Sequence, residues 1–184
     1  MSHGPADLAS LRRAVEGGAR FTYRYFWGHT PRPDGVLTDA VFSQWWLSSF
    51  EEGGQRYSSA EQYMMAGKAR LFGDHDALAK ILAAHEPSVI KRLGRGVRGF
   101  DHDAWEAARF ELVTRGNIAK FAAERDLRAY LHATGEAILV EASPSDVIWG
   151  IGLARDDPKA ADPRTWRGRN LLGFALVAAR EALG

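Results

Sequence analysis

The chain of 184 residues contains no cysteine. This absence excludes disulfides, thiolate nucleophiles and thiolate metal ligands. It also fits a reducing compartment, and we expect the protein to act in the cytoplasm. A chain of this length buries roughly 70% of the surface of its unfolded state, so it needs no cross-links to hold a core.

Long apolar runs and an excess of charge of either sign are also missing. No stretch approaches the roughly 18 apolar residues that cross a bilayer, and no basic segment followed by an apolar one opens the chain, so we expect no membrane partner. Lys and Arg number 24 against 23 Asp and Glu. This balance argues against broad, sequence-blind coating of nucleic acid. Local basic clusters fit either phosphate contacts or solvated surface: Lys91, Arg92, Arg95 and Arg98, then Arg155, Lys159, Arg164, Arg167 and Arg169.

Several catalytic signatures are absent as well. The six histidines include no pair at metal-ligand spacing and no H-E-x-x-H, so we expect neither a metal nor a cofactor. There is no G-x-S-x-G elbow of a serine hydrolase. The stretch from Gly94 to Gly99 matches G-x-G-x-x-G, but the segment before it has a helical pattern where a dinucleotide site requires a strand.

Periodicity and punctuation predict a mainly α fold with a small β-hairpin or sheet, in a single domain over 21–184 after an N-terminal extension over 1–20. The extension contains a short helical pattern. Strands are expected at 21–27 and, around a hairpin turn at 51–54, at 41–50 and 55–57, and these strands are expected to form one small sheet before the helices. A further short strand is expected at 137–142. Helices are expected at 59–72, 74–84, 87–94, 101–122, 125–133 and 171–183, with a Gly- and Pro-rich loop over 143–169.

The segment from Ser59 to Ala69 carries the strongest chemical signal. Ser59 and Gln62 have the spacing of a capping box, which places Glu61 in the first helical turn, where the helix dipole favours the ionised carboxylate and lowers its pKa. Lys68 follows two turns later and projects from the same side as Glu61. The alternative is structural: a first-turn Glu that steadies the helix and a Lys whose stem covers an apolar face.

A second candidate site lies in the loop after the strand at 137–142. Asp146 precedes Trp149 by three residues, and Gly150 permits close approach of a ligand. An indole offers a flat face on which a base can stack. The structural alternative is a core Trp beside a turn Asp.

The last helix begins after a third candidate, the turn from Arg167 to Asn170. It sets basic residues and an Asn cap at a helix N-terminus, where anions bind well. An ordinary cap is the alternative.

Taken in order, these segments resemble the NADAR proteins, also called YbiA-like, over about residues 23–183. The shared blocks are Phe26-Trp27-Gly28-His29, Ser43-Gln44-Trp45, Glu61 to Ala69, Lys91 to Arg95, Trp105, Lys120-Phe121, Thr134-Gly135, Val140 to Ala142, Asp146 with Trp149 to Gly152, and Trp166-x-Gly168-x-Asn170-Leu171-Leu172-Gly173.

This resemblance implies a mainly helical fold and an N-glycosidase acting on ribosylated amines. The family is associated with two substrates: riboflavin-pathway intermediates that carry a ribosylamino phosphate, and ADP-ribosylated guanine in nucleic acid, where the activity reverses ADP-ribosylation in the manner of DNA repair. By position, Glu61 matches the family's key glutamate, and Trp105, Asp146 and Trp149 match other functional positions.

The residues fit that chemistry. Departure of the amine leaves positive charge on the sugar. An ionised Glu61 would stabilise this charge or direct a water molecule onto C1′. Asp146 is expected to bind ribose hydroxyls or move a proton, and Trp105 and Trp149 to stack on the base. Lys68 offers a second route through a Schiff base with the ring-opened sugar. Polar contacts are expected from Gln44, and phosphate contacts from Arg95, Arg167 and Asn170.

Two hypotheses from other classes stay open on sequence alone. One is a non-catalytic module that binds ADP-ribose or an NAD-type nucleotide through the basic clusters and indoles. The other is a helical interaction protein whose ionisable residues only cap and solubilise.

Overall fold

The computed structural model describes residues 4–184. The elements in chain order are α1 (Leu8–Glu16), β1 (Tyr23–Phe26), a 3-10 helix (Asp39–Phe42), β2 (Leu47–Glu52), β3 (Gln55–Ser59), α2 (Ala60–Leu71), α3 (His75–Ala83), α4 (Pro87–Arg95), α5 (His102–Ala123), α6 (Arg125–His132), β4 (Ile138–Glu141), two short 3-10 helices (Pro158–Ala161 and Pro163–Thr165) and α7 (Leu171–Leu183).

The contacts divide the chain into two compact units. The central unit is Gln44–Leu127, and the terminal unit joins the described part of Met1–Ser43 to Arg128–Gly184. The mainly α prediction is confirmed, and each predicted helix exists within a few residues of its expected bounds.

The terminal unit is built on a two-stranded parallel sheet. β1 pairs with β4, with Tyr23 opposite Ile138 and Phe26 opposite Glu141, and α7 packs on β4. Leu139, Val140 and most of the first half of α7 are buried, so the core of this unit lies between the helix and the sheet. α1 begins at a capping box between Asp7 and Ser10, and Arg12 donates to the carbonyls of residues 163 and 166.

The central unit is organised around α2. The antiparallel hairpin of β2 and β3 runs directly into this helix, and α3, α4 and α5 pack against it. Eight of its twelve residues are buried, which is why the hydrophobic pattern of α2 is not confined to one side. Within residues 4–184, every helix is too short or too polar to traverse a bilayer.

Two strand predictions are wrong. Residues 41 and 42 are not the start of a strand, because Thr38 caps the backbone N–H of Ala40 and begins a 3-10 helix; β2 starts only at Leu47. β1 does not join a sheet with the hairpin either. Its partner is β4, more than a hundred residues later in the chain.

Candidate functional site

The beginning of α2 sets the position of Glu61. Ser59 is the N-cap, and its hydroxyl accepts a hydrogen bond from the backbone N–H of Gln62 at 3.2 Å. The reciprocal half of the predicted capping box is wrong: the Gln62 side chain accepts from the backbone N–H of Ser58, at 2.7 Å, one residue earlier than such a box requires. The last residues of β3 are thereby fixed to the first turn of the helix.

Glu61 itself is a buried acid, with only 3% of its surface exposed. Its backbone N–H donates to the carbonyl of Gln44 at 2.9 Å, so the loop before β2 lies against the start of the helix. As the second residue of α2, Glu61 is in the turn where the helix dipole stabilises a carboxylate. The predicted lowering of its pKa stays a prediction.

Gln44 is also buried, and its side chain has a partner in α5. Its amide nitrogen donates to Oδ1 of Asn117 at 3.2 Å, while the Asn117 amide donates to the carbonyl of Val113. These bonds offset the cost of burying the two side-chain amides. The Gln44 backbone therefore meets Glu61 while its side chain is anchored to α5.

Lys68 is half-buried and surrounded by aromatic rings. Its Nζ donates to the carbonyl of Gly94 at 2.8 Å, and lies 4.4 Å from the ring centroid of Phe100 and 5.7 Å from that of Trp105. Burial lowers the pKa of this ammonium from its ordinary value. The predicted Lys68 and Trp105 are thus close together.

The sequence did not predict that Phe100 and the carbonyl of Gly94 contact Lys68. Gly94 belongs to the G-x-G-x-x-G stretch, which the structure places at the end of α4, confirming that no strand precedes it. Arg95 is the last residue of α4 and is exposed.

Sequence reasoning also missed a charged pair on α5 that contains a buried arginine. Arg109 is 3% exposed, and its Nη1 lies 2.5 Å from Oε1 of Glu106. The spacing of three residues between opposite charges on a helix was the available signal. Further along α5, burial lowers the pKa of Lys120 to about 7.

In the terminal unit, Asp146 shapes the loop that carries Trp149. Its Oδ1 accepts from the backbone N–H groups of Ile148, at 2.8 Å, and Trp149, at 2.7 Å. Within residues 4–184, Oδ2 of the same carboxylate has no hydrogen-bond partner. One carboxylate oxygen therefore organises the turn and the other stays available.

Main-chain hydrogen bonds join this loop to the segment before α7. The backbone N–H groups of Arg167 and Gly168 donate to the carbonyl of Ile151, and that of Leu172 donates to Trp149. A Cβ at position 168 would lie 2.2 Å from the carbonyl oxygen of Gly150, so only glycine allows the two segments to come this close. The Arg167 side chain is exposed at this junction.

The prediction that the Asn170 side chain caps the last helix is wrong. Asn170 is the residue before α7, but its side chain makes no capping bond. Its Nδ2 donates to the carbonyl of Leu139 at 2.9 Å, and its Oδ1 accepts from the backbone N–H of Glu141 at 3.0 Å. With 0% of its surface exposed and its backbone in the left-handed region at φ 55°, Asn170 joins α7 to β4.

A model of the NADAR domain matches residues 25–184 of the chain. The chain belongs to the NADAR family. Because the match spans the central unit and most of the terminal unit, both are parts of one NADAR domain. The boundary predicted at residue 21 stays a prediction.

Similar proteins of known name support this family assignment. The chain is 44% identical over 164 residues to the N-glycosidase R617 of Acanthamoeba polyphaga mimivirus, an alignment that covers 86% of this chain and 95% of that protein. It is 31% identical over 130 residues to the N-glycosidase YbiA of Escherichia coli K12, covering 71% and 72%. The NMR structure of E. coli YbiA superimposes with a TM-score of 0.71 at 26% identity, covering 90% of this chain and 86% of that one.

These findings confirm the resemblance to NADAR proteins and the YbiA-like fold. Relatives named N-glycosidases also confirm the prediction of an enzyme, a hydrolase that acts on N-glycosyl compounds. The roles of individual NADAR residues and the identity of the substrate are taken up as proposals. Among residues 4–184, no group of three potential His, Asp or Glu ligands is placed to hold a metal ion.

Proposed function

We propose that this NADAR protein hydrolyses the bond between ribose C1′ and an exocyclic amine, without a metal, in a ribosylaminopyrimidine phosphate or in ADP-ribosylated guanine. Both substrates share the scissile C–N bond and a phosphate. The N-glycosidase relatives support the reaction class. The phosphate and base preferences rest on the residues of this chain.

The observation that carries the proposal is the burial of Glu61 in the first turn of α2. As the C1′–N bond breaks, positive charge develops on C1′ and the ring oxygen. A carboxylate held at a fixed position with little surrounding water stabilises that charge far better than a solvated one. The same carboxylate can also direct a water onto C1′ as the C–N bond breaks: the water gives one proton to the carboxylate and leaves a hydroxyl on ribose, and the amine departs with a proton.

Asp146 is proposed to bind a ribose hydroxyl or to carry the proton to the amine. Its Oδ2 supports either role, since Oδ1 is engaged by the loop backbone. Trp105 and Trp149 are proposed to contact the base, and Gly150 to admit it closely. Arg95 and Arg167 are exposed guanidinium groups and are the proposed phosphate contacts.

Gln44 and Asn170 are proposed to act indirectly. Gln44 bonds to the Glu61 backbone and to α5, and Asn170 bonds to β4. Neither side-chain amide extends into solvent, since Gln44 is 8% and Asn170 0% exposed. We therefore propose that both position catalytic segments and that the phosphate is bound elsewhere.

Lys68 is proposed for a second route. If the sugar ring opens to an imine of the departing amine, the neutral amine of Lys68 can add to C1′ and expel the base amine, forming a lysine imine that water then hydrolyses. A lowered pKa raises the fraction of neutral amine. Contact with the rings of Phe100 and Trp105 keeps water away from this nitrogen.

The decisive test is base release. Wild-type protein is incubated with each substrate and the products are followed by mass spectrometry. We expect turnover of at least one substrate, and a loss of about 100-fold or more for Glu61→Gln, the scale of losing a group that stabilises developing charge. Glu86→Gln is the matched control, because Glu86 is also a glutamate at a helix start but is exposed and makes no capping bond.

A folded wild-type protein that releases neither base would contradict the proposed substrates. Full activity of Glu61→Gln would remove Glu61 from the mechanism. Borohydride added during turnover separates the two routes. A sugar adduct on Lys68 supports the imine, whereas turnover without any adduct supports attack by water.

A further inference from the structure

The central unit contains a cleft that the proposed reaction does not use. It has a volume of about 510 Å³ and lies between the hairpin, α2 and α5. Its polar lining includes Glu52, Tyr57, Tyr63, Arg70 and Arg115. A volume of this size suits a small organic ligand.

This cleft is on the other side of α2 from the candidate acid. Tyr63, Gly67 and Arg70 line it and share one face of the helix, at spacings of four and three residues. Glu61 and Lys68 share a face two residues out of step with Tyr63 and Arg70, which is about 200° around the axis. A ligand in the cleft would therefore not touch Glu61.

The cleft carries one uncompensated positive charge. Arg115 is paired with Glu52 at 2.5 Å, so these two charges offset each other. Nη1 of Arg70 donates to the Tyr57 hydroxyl at 2.8 Å, and within residues 4–184 Arg70 has no carboxylate partner. The guanidinium retains further N–H donors for an anion.

Tyr63 adds a polar group with no partner. The residue is 4% exposed and lines the cleft, yet within the described residues its hydroxyl makes no hydrogen bond. Its ring is fixed edge-on to Tyr57, with centroids 5.0 Å apart. A hydroxyl without a protein partner at a cleft can donate a hydrogen bond to a ligand or accept one from it.

The remaining wall is apolar. Leu71, Ala108 and Leu112 line the cleft, and Leu112 covers Gly67, where the helix has no side chain. Apolar side chains and two tyrosines in one cleft favour a ligand with an aromatic or similarly planar body, because aromatic rings bind one another through stacked and edge-on contacts.

We propose that this cleft binds a small organic anion with a planar apolar body. Its carboxylate or phosphate pairs with Arg70, and a polar substituent bonds to the Tyr63 hydroxyl. Nothing in the proposed N-glycosidase reaction requires this site. The inference therefore goes beyond that function and does not depend on it.

Calorimetric titration of the full chain tests the proposal with four probes, to which 6-hydroxy-2-naphthoate is added for one variant. 2-Naphthoate and 2-naphthyl phosphate both carry a planar body and a charge, and they distinguish a carboxylate ligand from a phosphate ligand. 2-Naphthamide is the neutral match and acetate the match without a ring. We expect one of the two charged naphthyl probes to bind at least tenfold more tightly than both controls.

Two variants locate the binding. Tyr63→Phe removes only a hydroxyl that has no partner, so we expect unchanged folding and binding of 6-hydroxy-2-naphthoate weakened several-fold. Arg70→Gln should weaken binding of the better charged naphthyl probe at least tenfold, while Lys80→Gln removes an exposed positive charge on α3 and should change nothing. The Tyr63→Phe result remains informative if loss of the Arg70–Tyr57 bond unfolds Arg70→Gln.

Four outcomes would overturn the proposal. One is that neither charged naphthyl probe binds at millimolar concentration, and another is that 2-naphthamide binds as tightly as the better of the two. The third is that Tyr63→Phe and a folded Arg70→Gln both bind as wild type does. Loss of binding in Glu61→Gln would equally contradict it, since that residue is on the other face of α2.

Discussion

In the central unit, Lys68 is held through its side chain: its ammonium contacts two aromatic rings and one carbonyl. In the terminal unit, the loop that carries Trp149 is held through its backbone, by bonds to Asp146 and to the segment before α7. A helix can use side chains in this way because its own backbone is already satisfied. A loop must find partners for its N–H and C=O groups elsewhere.

The difference predicts where a single added methyl group matters most. In Gly168→Ala the new Cβ would meet backbone atoms of Gly150 and Val147, which cannot move without disrupting the loop. We expect a loss of about 3 kcal/mol in the free energy of unfolding. In Gly67→Ala the neighbour is the flexible end of Leu112, so we expect about 1 kcal/mol or less.

Urea unfolding of both variants checks this ranking. Gly96→Ala is the control, because Gly96 has a negative φ of −89° and its nearest neighbour would be 3.5 Å from the added carbon. Equal losses for Gly168→Ala and Gly67→Ala would mean that the two units are not held differently.

Asp146 allows the structural and chemical uses of one carboxylate to be separated. Asp146→Ala removes the acceptor for two backbone N–H groups, and we expect a loss of about 1–2 kcal/mol. Asp146→Asn keeps an oxygen for the turn but loses the charge. Its stability should therefore stay near that of wild type while its rate of base release falls.

Unfolding curves and activity assays on the same preparations of the Asp146 variants measure both effects. Equal activity of Asp146→Asn and wild type would leave Asp146 a purely structural role.

The smallest effect is expected at Lys68. Phe100 is nearly half exposed and shields the ammonium, so Phe100→Ala should let water in and remove part of the penalty on the charged form. The pKa of Lys68 should then rise toward its ordinary value. Phe100→Leu keeps an apolar neighbour and is the matched control. An NMR titration of the labelled lysine measures both variants, and an unchanged pKa in Phe100→Ala would assign the shielding to Trp105 and the helix instead.

Sequence reasoning succeeded where the signals are local. The bounds of α2, α5 and α7 follow from caps and periodicity, and the turn at Gly53 and Gly54 marks the hairpin. It failed where a contact joins distant segments. The pairing of β1 with β4 leaves no local trace, because a parallel pair needs no turn between its strands.

The candidate residues show the same division. Glu61 could be placed at a helix start because a serine two residues earlier is a typical N-cap. That Asn170 faces β4 could not be foreseen, since an Asn before a helix is most often a cap. Phe100 was missed because it lies in a loop without a pattern, and only the fold brings it to Lys68.

Asn170 has one consequence for the sheet of the terminal unit. On one side of β4, the carbonyls of Thr22 and Phe26 accept from the backbone N–H groups of Ile138 and Ala142. On the other side, the Asn170 side chain accepts from the backbone N–H of Glu141 and donates to the carbonyl of Leu139. That donor and acceptor are the pair which a residue of a third parallel strand would present. One amide side chain thus occupies hydrogen-bonding positions at a sheet margin that could otherwise recruit another polypeptide, and it protects this short sheet from edge-to-edge association.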